Sequence, residues 1–186
     1  MANWTNALVC SSTKSYSLAR LHHAAWHGVS VEVVRKLLKR GALRSLKDAE
    51  GRTAYDIALE HGRRIALLKL LELPPSPLDS ERIRALDRHL AELIEGRVAL
   101  IEGPVRQRFR SQGVQKVLRF PPVEILHEPP GQRVWFPVPG MYGGFHIVLR
   151  RGYLEVESGC RVAAGSVQLH VVSRDGVVLV DNAPGY

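Results

Sequence analysis

Cysteine is scarce in this chain: 186 residues contain only Cys10 and Cys160, 150 positions apart. That spacing supports neither a disulfide framework nor a zinc site, and a reducing, cytoplasmic setting is expected. Long apolar runs are missing too. The longest, such as Val177–Val180, last a few residues, so no membrane-spanning helix and no membrane partner are expected. No basic stretch followed by an apolar core opens the chain, so no signal peptide is expected either. Acidic residues are in the minority, 18 against 26 lysines and arginines.

What remains is an ordinary globular composition, 45 % apolar and 24 % charged, long enough to bury a core. The charge is uneven. Residues 1–73 carry 12 basic and 6 acidic side chains, residues 74–119 carry 9 and 6, and residues 120–186 carry 5 and 6. Arginine outnumbers lysine 20 to 6, a bias that GC-rich coding explains before phosphate recognition is invoked.

An internal repeat organises the first part. Ala19-Arg20-Leu21-His22-His23-Ala24-Ala25-Trp26-His27-Gly28 aligns with Thr53-Ala54-Tyr55-Asp56-Ile57-Ala58-Leu59-Glu60-His61-Gly62 at a constant offset of 34 residues. Each copy predicts a short helix closed by a glycine, which takes the left-handed conformation that ends a helix. A second amphipathic helix follows in each copy. One is Val31–Arg40, with Val34, Leu37 and Leu38 on one face; the other is Arg64–Leu71, with Ile65, Leu68 and Leu71. The stretch Gly41–Thr53 reads as a turn segment leading to a helix cap at Thr53. Pro74-Pro75-Ser76-Pro77 then breaks the array. A new helix begins at Asp79 or Ser80, its stripe being Ile83, Leu86, Leu90, Leu93 and Ile94.

These residues resemble ankyrin repeats over residues 17–73. The helix-opening Thr-Pro-Leu-His of that family stands here as Ala19-Arg20-Leu21-His22 and Thr53-Ala54-Tyr55-Asp56. The Gly-Ala hairpin start is Gly41-Ala42, and Asp-x-x-Gly-x-Thr is Asp48-Ala49-Glu50-Gly51-Arg52-Thr53. Neither helix opens on proline, the second copy lacks the histidine, and the first carries one extra residue. The resemblance implies a short helical array in which the histidine at position 22 orients turn backbone. It also implies a partner protein held by hairpin tips and by variable positions of each first helix: His23, Trp26, His27, Leu43, Arg44, Ile57, Glu60 and His61; for Trp26 the alternative is packing against the chain's own C-terminal module or N-terminal segment. Two repeats need caps at both ends; Trp4, Leu8 and Val9 offer a degenerate helix at the front.

The last third changes period. Phe145–Leu149, Leu154 to Val156, Val167 to Val171 and Val177–Val180 predict an antiparallel meander of about four strands, with turns at Arg151-Gly152 and Arg174-Asp175-Gly176. Pro121–Gly144, with six prolines and four glycines, reads as an irregular cover rather than a strand. The fold class is therefore α+β, a short ankyrin array joined by an amphipathic helix to a small antiparallel sheet. The expected divisions are 1–73, 74–103 and 104–186. Val134–Phe145, Glu157–Val162 and Gly165–His170 resemble a module that follows short ankyrin arrays in bacterial proteins and has no established activity.

Three sites compete for the function. The leading reading is non-catalytic binding of an acidic partner protein through the array, as a bacterial adaptor or neutraliser. The alternative is an enzyme or small-ligand module in residues 120–186 with the array as docking arm. Its pocket residues would be Trp135, Tyr142, Glu157, Arg161, Gln168 and His170, with Gln168 and His170 on the face of their strand opposite the apolar residues. Cys160 with His170 is the one nucleophile–base pair that can be suggested. The third reading is nucleic acid, bound by Arg106, Arg108 and Arg110 with Lys116 and Arg119, a base stacking on Phe109. His23 and His27 share a helix face but lack an evident third ligand, so no metal site, no cofactor and no catalytic residue is assigned.

Overall fold

The computed structural model describes residues 20–48, 50–100, 104–140, 143–159 and 166–184. The chain forms two compact units, Met1–Pro75 and Ser76–Tyr186. The suggested front cap at Trp4, Leu8 and Val9 lies outside the described residues.

In the first unit the repeat becomes two helix pairs: α1 (Arg20–His27) with α2 (Val31–Lys39), and α3 (Ala54–Glu60) with α4 (Ile65–Leu71). The ends of α1 and α3 are built alike. Val29 N–H donates to Ala24 and Gly28 N–H to Ala25, and 34 residues on Arg63 donates to Ala58 and Gly62 to Leu59. Gly28 and Gly62 sit at φ 60° and 58°, the left-handed region that a side chain disfavours. Alanines let α1 and α3 approach closely: Ala24, Ala25, Ala54 and Ala58 are all buried, together with Leu21, Val34, Ile57, Leu67 and Leu71. On the expected face of α4, Leu71 is buried and Leu68 packs against the same core, but Ile65 is 72 % exposed and Leu67 takes its place inside. Four of the seven residues of this helix are leucine, so contact with α2 and α3 selects which of them are covered.

Thr53 caps α3 as its position implied. Its hydroxyl accepts from Asp56 N–H at 3.3 Å, and the Asp56 carboxylate accepts from Thr53 N–H at 2.8 Å. Thr53 is buried, so Thr53→Ala removes a hydroxyl that water cannot replace. A loss of about 1–2 kcal/mol in urea unfolding of the first unit is expected.

The second unit opens with α5 (Ser80–Ala99), capped by Asp79, whose carboxylate accepts from Arg82 N–H at 2.8 Å. Its stripe, Leu86, Leu90, Leu93, Ile94 and Val98, packs on one face of a five-stranded sheet. The strands are β1 (Arg133–Val138), β2 (Gly143–Leu149), β3 (Leu154–Gly159), β4 (Ser166–Val172) and β5 (Val177–Pro184), antiparallel and in sequence order. Phe136, Phe145, Ile147, Leu154, Val156 and Val172 face the helix in one buried layer. His89 ties α5 to the last hairpin, its Nδ1–H donating to the Ser173 carbonyl at 3.0 Å, and Arg174 pairs with Glu81 at 2.6 Å.

The meander thus has one more strand than the pattern suggested, and it lies in the segment read as irregular. Val134, Phe136 and Val138 alternate inward, and Pro137 is tolerated because β1 is an edge strand, with no strand beyond it among the described residues. The irregular part shrinks to two 3₁₀ turns, Val123–His127 and Pro130–Gln132. The first is buried at Val123, Ile125 and Leu126, and is tied to α5 by Val123 N–H donating to Asp87 at 2.7 Å. Between α5 and these turns lie α6 (Pro104–Gln112) and α7 (Val114–Val117).

Candidate functional site

The first helices of the two pairs present one continuous polar and aromatic face. Trp26, on α1, is 45 % exposed, and the edge of His61, just past α3, meets its ring with centroids 4.3 Å apart. His23 and His27, one turn apart on α1, are exposed with near-parallel rings 6.5 Å apart. Glu60 is exposed at the rim and pairs with Arg52 at 3.2 Å. Five of the positions drawn from the ankyrin resemblance therefore share this face.

Three others are buried or half-buried. Leu43 and Ile57 are buried at 7 % and 1 % exposure, and Ile57 is part of the unit's core. Arg44 is half-buried, and its Nε donates to the Leu70 carbonyl at 3.0 Å. A short array has little interior, so it draws into its core positions that spacing alone marks as variable.

Backbone recognition by side chains holds the face rigid. His22 is buried, with Nε2 3.2 Å from the Arg52 carbonyl, so it fastens the turn between copies. Burial pushes the Asp48 carboxyl up, but the amides of Arg52 and Glu50 and the Arg52 guanidinium together outweigh this and hold it below its ordinary value. Arg63 was not singled out from sequence. Its Nε donates to the Ala25 carbonyl at 3.2 Å and its Nη2 to the Trp26 carbonyl, clasping the end of α1. A cation at a helix C-terminus is a known signal, but this one comes from the other repeat and is invisible to local spacing.

The residues suggested for a C-terminal pocket fall on two faces of the sheet. Cross-strand partners run Trp135, His146, Glu157, Leu169 and Asp181, one row on the face away from α5. Gln168 and His170 lie on the α5 side, opposite Ser158 and Val156. This corrects the expected orientation of β4: His170 shares its face with the buried Val172, while Val167, Leu169 and Val171 point the other way. Tyr142, Arg161 and Cys160 lie outside the described residues.

On the inner face a small polar cluster interrupts the apolar layer. Arg97 Nε, from α5, donates to the hydroxyl of fully buried Ser158 at 3.0 Å, and Gln168 donates to Asn182 at 3.2 Å. His170 is 7 % exposed, and among the described residues its Nδ1 has no hydrogen-bond partner. Burial, and after it the nearby Arg97 charge, pushes the His170 imidazole below its ordinary value. The unfolded chain therefore takes up a proton that the folded chain resists. Stability of the second unit is expected to fall as pH drops below about 6.5, the value for a free imidazole. Urea unfolding at several pH values checks this, and His170→Gln should remove that part of the slope.

The basic segment is a helix rather than an open loop. Arg106 and Arg108 belong to α6, and Arg110, Lys116 and Arg119 are exposed. Phe109 is 5 % exposed and packs in the second unit's core, so it offers no platform for a base. Arg110 and Lys116 border an open cleft of about 710 Å³ floored by Val98, Phe109 and Val114, with Glu95 breaking its positive lining.

Among the described residues no group of three or more His, Cys, Asp or Glu could hold a metal ion, and no helix is long and apolar enough to cross a membrane. Residues 18–58 match a family model described as ankyrin repeats (many copies). The match runs from just before α1 into α3. No curated protein and no solved structure matches the chain. The C-terminal resemblance accordingly rests on its residues alone.

Proposed function

We propose that this chain works by capturing a partner protein on the face formed by His23, Trp26, His27, Glu60 and His61, without catalysis, as an adaptor or neutraliser. Ankyrin repeats point to protein–protein interaction in general. The observation that carries the finer reading is Trp26, a large aromatic left exposed yet braced by His61 and by the Arg63 clasp on its own carbonyl. A rigid aromatic that loses little freedom on contact makes a strong interface anchor. The excess of basic residues in positions 1–73 favours an acidic partner and faster encounter at low salt.

Affinity capture with the tagged chain, split into nuclease-treated and untreated halves and read by mass spectrometry, tests this. One protein retained at near-stoichiometric amount in both halves, and lost with Trp26→Ala, is expected. Retention that disappears with nuclease, or that Trp26→Ala leaves intact, sinks the reading.

A second reading, a small-ligand site in the second unit, draws on the orphaned Nδ1 of His170 beside Arg97 and Ser158. A buried polar atom without a partner calls for one. Imidazole NMR of His170 against a small-molecule library is its test, and an unshifted resonance throughout removes it. The nucleic-acid reading loses its stacking residue with the burial of Phe109 and is not carried forward.

A further inference from the structure

We infer that β5 is a pairing edge through which two copies of this chain join their sheets. The sheet is ordered β1 to β5 without crossover, so β5 ends it, and among the described residues no strand lies beside its outer backbone groups. Four consecutive aliphatic side chains on that strand are exposed: Val177 at 36 %, Val178 at 61 %, Leu179 at 50 % and Val180 at 56 %. Because side chains alternate along a strand, hydrocarbon lies open on both of its faces.

The usual protections of an edge are thin here. β5 runs for eight residues, carries no lysine, and has its only proline at its end. Its one irregularity is the extra residue Val180, between Leu179 opposite His170 and Asp181 opposite Leu169, and it leaves the stretch from Val177 to Leu179 regular. The opposite edge is guarded. β1 has six residues, and Pro137 removes a backbone donor from it.

That asymmetry selects the occupant. Pairing β5 with β1 of another copy would be head-to-tail and open-ended, and Pro137 opposes it. Pairing β5 with β5 is closed by a two-fold axis, and antiparallel strands supply that axis. The Val177–Val180 segment then lies against the partner's same segment, so each copy covers the hydrocarbon of the other. One strand pair buries less than the roughly 800 Å² per partner of a standard interface. The dimer is therefore reversible, and its population follows concentration.

Sedimentation velocity of the full chain from low to high micromolar concentration tests the pairing, alongside Val178→Lys and Leu179→Lys. Both sites are at least half exposed, so the fold should survive, which a thermal melt verifies. Leu179→Cys and Trp135→Cys, each in a Cys10→Ser, Cys160→Ser background, provide a readout in case a lysine variant unfolds. Expected are a concentration-dependent dimer, its loss in both lysine variants, and oxidative cross-linking at position 179 but not at 135. A wild-type chain that stays monomeric overturns the inference, and slow amide exchange of β5 in that monomer would show the strand to be covered within one chain. A dimer that survives both lysines, or cross-links at 135 alone, also overturns it.

Discussion

Trp26→Ala is expected to weaken partner capture by roughly 30-fold or more, the effect of losing an interface anchor worth about 2 kcal/mol. The fold should hardly notice. Trp26 is 45 % exposed, and its close ring contact is the edge of His61, itself an exposed residue. Removing such a contact costs about 0.5–1.5 kcal/mol, so the melting curve should move only slightly while binding collapses. His61→Ala should fall between, because it removes the brace and leaves the anchor. Raising salt should slow capture in wild type and variant alike, since the basic charge of this part of the chain is spread over many side chains rather than held by Trp26. Surface plasmon resonance on the captured partner, with a melt of each variant, separates these outcomes. Equal binding by wild type and Trp26→Ala would falsify the assignment of the α1–α3 face.

The second large effect lies in the sheet. Gly144→Ala should destabilise the second unit by at least about 3 kcal/mol, at the upper end of overpacking costs. A methyl group at position 144 would collide with the Phe136 carbonyl oxygen and stand 2.7 Å from the Pro137 Cα, both backbone atoms of the paired strand β1. Neither can swing aside as a flexible side chain would, so β1 must lift from β2 or the pair must shift register. Either movement disturbs Phe136 and Phe145, whose rings stand 6.4 Å apart in the core. Gly159→Ala is the control. It lies at the end of β3, a Cβ there meets nothing within 4 Å, and its backbone needs no positive φ. That substitution should stay within about 0.5 kcal/mol of wild type. Urea unfolding of the two variants side by side decides the matter; similar midpoints would mean that β1 does not press on Gly144.

What was legible in the sequence follows the range of the forces involved. The 34-residue offset, the glycines that end α1 and α3, the Thr53 cap, the stripe of α5 and the turns before β3 and β5 are set by residues a few positions apart, and all can be read from spacing. The aromatic face of the array was legible because Trp26 and His61 occupy repeat positions whose outward direction the ankyrin resemblance implies. Arg63 was not, since its acceptors lie on another helix, nearly 40 residues away.

The tertiary structure decided which face of an ambiguous element is covered. On β4, Val167, Leu169 and Val171 alternate with Gln168, His170 and Val172, so apolar periodicity alone turns the strand the wrong way. Only the register with β3, which sets His170 opposite Val156 beneath α5, fixes its direction. Phe109, Leu43 and Ile57 sit in polar or variable surroundings in sequence, yet all three are buried. Pro137 marked β1 as irregular, and only its place at the edge of the sheet allowed a strand there. The sequence by itself determined the elements and their caps, because those depend on local backbone chemistry. Burial depends on what the rest of the chain brings alongside, and that was left to the fold.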